Sequence, residues 1–230
     1  MVGVLTLPRT TIGKKVIMAV TGLIGIGFVL GHMYGNLKVF SGPEEFNAYA
    51  EGLRELGAPI FTPSELLWLV RLVLLAAVGL HVWSAWALYQ DSRRARSTEY
   101  ARYTTLHTNV AARYIRFGGT VIFIFIILHL MHFTWGIPGI HPDFIPGDVY
   151  HNLVVGFQSY YYLPAIFYLL AVLLLGFHLY HGAWSMFQTL GLNNSSYTHL
   201  WRGLAWILAV VITVGFAIVP LGVMFGWVTL

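Results

Sequence analysis

Six histidines of this chain stand inside long apolar stretches: His32, His81, His129, His132, His178 and His181. An ionisable side chain at membrane depth is expensive and marks a functional site by default. The alternative is a neutral imidazole hydrogen-bonded between helices. One such residue would fit either reading, but six, spread over four successive stretches, ask for a shared chemistry. The chain has no Cys, which excludes disulfides, thiolate metal sites, cysteine-ligated iron–sulfur clusters and covalent haem attachment. What remains is imidazole chemistry: a metal ion, a proton relay or a porphyrin iron.

The elements that must position these rings follow from composition. Of 230 residues 57% are apolar and 10% charged, against about 45–50% and about 25% in soluble domains. A hydropathy window of about 19 residues predicts five spans, at about 14–37, 66–89, 114–136, 162–187 and 203–228. Each reaches the roughly 20 residues that a hydrocarbon core of about 30 Å demands, and unpaired backbone groups are not tolerated in lipid, so the spans are helices. No repeat or compositional break divides the sequence. Residues 1–230 therefore read as one all-α domain, an integral membrane bundle of five transmembrane helices. Arg9, Lys14 and Lys15 before the first apolar run resemble a signal peptide, but the A-x-A-like site at Ala48–Ala50 lies far beyond that run, and a retained helix is expected.

Charge orients the bundle. One side, with the N-terminus and the loops after spans two and four, holds ten basic against two acidic residues, a net +8; the other holds three against seven, a net −4. The positive-inside rule places the N-terminus in the cytoplasm. The pI near 9.4 is thereby a topology signal, and nucleic acid is not expected as a partner. Outside the membrane, Pro43–Leu56 reads as an amphipathic helix with Phe46, Tyr49, Ala50 and Leu53 on one face, and Gly136–Tyr160, with three prolines, as an ordered outer loop.

Depth sorts the histidines. At about 1.5 Å per residue, His32 lies roughly 25 Å and His129 roughly 20 Å from the inner face; His81 lies roughly 18 Å and His178 roughly 15 Å out. This forms an outer pair, His32 with His129, and an inner pair, His81 with His178. Zinc prefers three or four tetrahedral ligands, and a proton relay would want carboxylates, of which no span holds one at mid-depth. Haem iron accepts two axial imidazoles from opposite sides of a flat ring. Two bis-His haems use four histidines on four helices and leave the fifth helix without one. Small residues beside these positions, in Gly27-x-x-x-Gly31-His32-x-x-Gly35, at Gly79, and at Gly176 and Gly182, would admit a planar group or simply pack helices. His129/His132 and His178/His181 are spaced i,i+3 on one face, so spacing alone leaves the ligand open in each. His107, His141, His151 and His199 fall in loops, where solvated rings are expected.

At these residues the sequence resembles the five-helix cytochrome b558 membrane anchor of succinate dehydrogenases, shared with quinol:fumarate reductases. The matching pieces are Gly31-His32-Met33, the run His81–Ala85, His129-Leu130, and above all the run His178–Gly191 (HLYHGAWSMFQTLG) at the end of the fourth span. The similarity covers essentially the whole chain. It implies that His32 and His129 bind an outer haem b and His81 and His178 an inner one. It favours His178 over His181, because the related ligand stands four before the glycine that here is Gly182, and His129 over His132, because the ligand opens the His-Leu pair. It implies a bound quinone, menaquinone by preference; by position, Glu51 and Glu55 just before the second span are outer candidates, and His181, Trp184 and Gln188, one to three turns beyond His178, are inner ones. It further implies a soluble flavoprotein and an iron–sulfur subunit as partners, a bacterial cell membrane, and possible association of whole complexes. Some fumarate reductases of this group carry an acidic residue linked to proton transfer two before the fourth-span ligand; here that position is Gly176. The cytochrome b subunit of a hydrogenase or formate dehydrogenase, and a haem-free membrane scaffold, are the competing readings.

Overall fold

A computed structural model of the chain describes residues 4–95 and 110–230. Its helices are α1 (Thr11–Leu37), α2 (Pro43–Gly52), α3 (Glu65–Arg94), α4 (Val110–His129), α5 (Val149–Thr189) and α6 (Thr198–Met224), with no strand among the described residues. Among those residues five helices, all but α2, are long and apolar enough to cross a membrane. The expected all-α, multi-pass bundle is therefore present. Thr10 caps α1 by accepting from the Gly13 amide at 3.0 Å, and Pro43 opens α2 at a position where its missing N–H costs nothing. Arg96, Glu99, Arg102 and His107, between the second and third spans, lie outside the described residues.

The helix expected over Pro43–Leu56 ends at Gly52 and the span expected to end at 89 runs to Arg94, and two further boundaries differ from expectation. The outer loop predicted over Gly136–Tyr160 is cut short, because Asp148 caps a new helix at Val149 by accepting from the His151 amide at 3.0 Å. That helix is interrupted at Ser159–Tyr162, where Tyr160, Tyr161 and Tyr162 have φ of 50°, 56° and 64°. Left-handed backbone costs a non-glycine residue about 1–2 kcal/mol, and a run of three survives only where surroundings hold it. The Tyr160 hydroxyl donates to the Gly139 carbonyl at 2.9 Å, and Tyr162 packs on the core. Pro164 then falls in the first turn of the resumed helix, where proline is accommodated. At the other boundary, α6 stops at Met224, short of the expected 228, as the chain turns through Gly226 (φ 73°).

The amides of Trp135 and Ile137 reach back to the carbonyls of Leu130 and Met131 at 2.8 and 3.0 Å, so α4 closes in one π-turn, Leu130–Thr134. It ends at Gly136, whose φ of 55° and whose contact with the Phe144 ring leave no room for a Cβ.

α1 packs against α3, α5 and α6, and α5 packs against α4 and α6. With Arg116 of α4 lying 4.9 Å from the Tyr89 ring centre of α3, α1, α3, α4 and α5 form the corners of a four-helix bundle, with α1 opposite α4 and α3 opposite α5, while α6 lies behind α1 and α5. Lys14 and Asp91, 2.6 Å apart, pin the start of α1 to the end of α3. One core, around Leu179, Ala209 and Ile212, joins α1, α5 and α6. The larger one gathers Val39, Phe46, Val154, Phe157, Val219 and Val223 at the end of the bundle that α2 covers. Phe46 of the expected apolar face is buried there, whereas Leu53, past the end of α2, is exposed.

Asp148 gives a first testable consequence. Its carboxylate also accepts from Asn47 at 3.0 Å, and these hydrogen bonds, first that of the His151 amide, hold its pKa below the ordinary value of 3.8. A depressed pKa stabilises the fold above the unfolded-state value, and that stability is lost as the pH falls through the folded one. Asp148→Ala is expected to cost about 0.5–2 kcal/mol at neutral pH, with the gap to the unmodified chain closing below roughly pH 4. Thermal unfolding in detergent across that window measures it.

Candidate functional site

The bundle brings the four histidines together as two pairs. His32 on α1 and His129 at the end of α4 have ring centres 5.7 Å apart, inclined at 79°. His81 on α3 and His178 on α5 have ring centres 6.0 Å apart, inclined at 58°. Each pair joins opposite corners of the bundle, helices whose backbones do not pack on one another. Apolar rings line the outer pair: Phe28 stacks on His32 at 5.3 Å and Phe125 on His129 at 5.7 Å.

The pairs lie at separate levels, which glycines mark. A Cβ on Gly22 of α1 would stand 3.5 Å from the His81 ring, and one on Gly119 of α4 would stand 3.5 Å from the His178 ring. His32 follows Gly22 by ten residues and His129 follows Gly119 by ten, so on both helices the pairs are about 15 Å apart. The two-level order read from the sequence is thus present, with a wider interval. Gly22 and Gly119 were not singled out from sequence; the signal is the shared ten-residue interval before an outer histidine.

Of the glycines that were, Gly27, Gly31, Gly79 and Gly182 have open space where a Cβ would stand. Gly27 borders a groove of about 380 Å³ between α1 and α3. Gly35 instead receives the Tyr49 ring and Gly176 the Thr213 side chain, so both serve helix packing. A second cavity, about 170 Å³ and apolar, lies between α4 and α5 and is bordered by His178, Gly118 and Phe177.

Hydrogen bonds determine which ring nitrogen is free. His81 Nδ1 lies 3.2 Å from the Met18 carbonyl and 3.2 Å from Thr21 Oγ1. A carbonyl only accepts, so Nδ1 carries the proton and Nε2 keeps its lone pair. His129 Nδ1 lies 3.1 Å from the Tyr168 hydroxyl, again leaving Nε2 without a protein partner. His32 Nε2 has only a long 3.4 Å approach from Asn36, whose amide donates chiefly to the His32 carbonyl at 2.8 Å. His178 Nδ1 is buried with no partner. Ligating histidines characteristically bond their second nitrogen to a carbonyl or polar side chain, the arrangement His81 and His129 show.

These pairs fit haem. A metal–imidazole bond of about 2.0–2.1 Å puts the ring centres of two axial imidazoles roughly 6 Å apart. Ring contact alone also yields 4.5–7 Å, so the weight rests on repetition: two pairs, both on bundle diagonals, at two levels, with a buried nitrogen unpaired on His178. Among the described residues no three His, Asp or Glu side chains converge as a metal site; a porphyrin iron asks the protein for two ligands.

The doubled histidines separate. His132 is 3% exposed and sits with its Nδ1 3.1 Å from Tyr168, while His181 is half-buried one turn past His178. His141, expected to be a solvated loop residue, is 1% exposed, its Nε2 donating to the Asn152 carbonyl at 2.8 Å and its ring 5.1 Å from that of His132. The reason is the fold of the loop: Asn152 bonds both the amide and the carbonyl of Ile145 at 2.7 Å, drawing residues 141–145 over α5. His151 lies in the first turn of α5, its Nε2 donating to the Asp143 carbonyl at 3.2 Å; His199 is exposed, but in α6 rather than a loop. Glu51 and Glu55 are exposed, Glu51 accepting from Arg54 at 3.0 Å. Trp184 is half-buried with the Arg202 guanidinium 4.9 Å from its ring centre, and Gln188 is exposed.

No protein family, curated protein or solved structure matches the chain.

Proposed function

We propose that this chain is the di-haem b cytochrome anchoring a succinate:quinone oxidoreductase in a bacterial plasma membrane, carrying electrons between an iron–sulfur subunit and a membrane quinone. The observation that carries the reading is the pair of opposed imidazoles on each diagonal of the bundle, 5.7 and 6.0 Å between centres. His32 and His129 would hold the outer haem, and His81 and His178 the inner one. When bound, the haems supply one-electron transfer at two depths. The chain's own part is to hold each imidazole: Met18 and Thr21 orient His81, and Tyr168 orients His129. Apolar rings, Phe28 and Phe125 among them, keep water from the outer pair.

The excess of basic residues at the end holding Lys14 and Arg202 supports a cytoplasmic N-terminus. It also supports docking of the iron–sulfur and flavoprotein subunits there. A quinone, taken as menaquinone, is better supported at the inner cluster, where His181 and Trp184 are half-buried beyond His178, than at the exposed Glu51 and Glu55. The test is purification from native membranes. Two haem b per chain by pyridine haemochrome, and reduction of both by succinate through co-purifying flavin and iron–sulfur subunits, are expected. A chain that purifies without haem would overturn the proposal.

A further inference from the structure

Tyr168 of α5 touches two imidazoles at once. Its hydroxyl lies 3.1 Å from His129 Nδ1 and 3.1 Å from His132 Nδ1, and the residue is 8% exposed. The π-turn that closes α4 carries His132 beside His129 on the side of this hydroxyl. A phenol has one proton, so it donates to one ring and accepts from the other.

Ligation decides the direction. A neutral His129 whose Nε2 lone pair is given to iron carries its proton on Nδ1, and so donates to the Tyr168 oxygen. The Tyr168 O–H then donates to His132 Nδ1, which places the proton of His132 on Nε2. Beyond it, His141 donates its own Nε2–H to the Asn152 carbonyl at 2.8 Å, which makes its Nδ1 a bare acceptor. The two nitrogens of this cluster without a partner, His132 Nε2 and His141 Nδ1, are thereby one donor and one acceptor, on rings 5.1 Å apart. The protons of His129, Tyr168 and His132 thus run in one sense, and no hydrogen bond joins His132 to His141.

Resting on the two-haem reading, the geometry assigns Tyr168, with His132 behind it, as positioning residues for the outer haem. Together they hold His129 in its Nδ1–H form and make its Nε2 a stronger electron donor, which favours ferric over ferrous iron at that site. At the inner pair the Met18 carbonyl plays this part for His81, while His178 Nδ1 has no partner, so neither inner ligand depends on Tyr168.

The experiment is a redox titration of the haem absorbance in the intact complex. The outer component is identified as the one missing from His129→Leu. In Tyr168→Phe the Nδ1–H of His129 loses its acceptor. The outer midpoint is expected to rise by about 59 mV, a tenfold change in the ferric-to-ferrous ratio for one electron, and outer-haem affinity to fall 10–100-fold. The inner midpoint stays in place. His132→Leu should move the outer midpoint in the same direction by less, and His132→Asn, which returns an acceptor near the position of Nδ1, should reverse it. Should Tyr168→Phe not retain the outer haem, the His132 pair decides. An outer midpoint unmoved in His132→Leu, or equal in His132→Leu and His132→Asn, overturns the assignment. An unmodified complex with no haem overturns instead the function on which it rests.

Discussion

On the two-haem proposal, His129→Leu and His178→Leu should each leave one haem b per chain rather than two, and they should remove different components. The first takes an axial bond from the pair on α1 and α4, the second from the pair on α3 and α5, and the pairs are about 15 Å apart with no shared ligand. His32→Leu should reproduce the spectrum of His129→Leu, and His81→Leu that of His178→Leu. The doubled residues behave otherwise. His132→Leu and His181→Leu should retain both haems, His132 because it reaches the outer pair only through the Tyr168 hydroxyl at 3.1 Å. Pyridine haemochrome stoichiometry with low-temperature difference spectra separates the six variants. Loss of a haem in His181→Leu alongside retention in His178→Leu would reassign the ligand on α5.

Gly156→Ala should destabilise the fold at the histidine cluster. An added Cβ would lie 2.8 Å from the Phe133 ring, 2.9 Å from His141 Nε2 and 3.1 Å from His132 Nε2. None of these is the end of a flexible chain; all are rings wedged between the close of α4, the outer loop and α5. Overpacking of this kind costs about 1–3 kcal/mol, and the methyl group must also separate His141 from the Asn152 carbonyl. Gly203→Ala, in the first turns of α6 with nothing within 4 Å of the new Cβ, should instead stabilise by about 0.4–1 kcal/mol through the unfolded chain. Opposite shifts of the unfolding midpoint in detergent are the expected result. Equal shifts would mean that the histidine cluster is loosely packed.

What the sequence revealed and what it hid divide along one line. Hydropathy and charge are properties of single segments, and they located the spans to within a few residues. Depth counting worked because the rise per residue is fixed and successive spans reverse direction, so His32 met His129 and His81 met His178 in the structure. Features made by two segments were not legible. Gly22 and Gly119 matter through rings on other helices. His141, between Ile140 and Pro142, looked like any residue of a proline-rich loop until Asn152, eleven residues later, drew that loop down. The break in α5 was concealed for a different reason: left-handed backbone advertises itself through glycine or asparagine, and here three tyrosines adopt it.

The diagonal pairing also dictates an order of biogenesis. Helices enter the bilayer from the N-terminus onward, and neither histidine pair lies on neighbouring spans. A nascent chain that has delivered α1 and α3 has His32 and His81 but neither pair. Arrival of α4 completes the first couple and arrival of α5 the second, while α6 adds no ligand and only buttresses α1 and α5. On the two-haem proposal, cofactor capture would be staged: the pair on α1 and α4 becomes competent one span before the pair on α3 and α5. A chain arrested after α4 would be a single-site intermediate, with His81 waiting for a counterpart that translation has yet to supply.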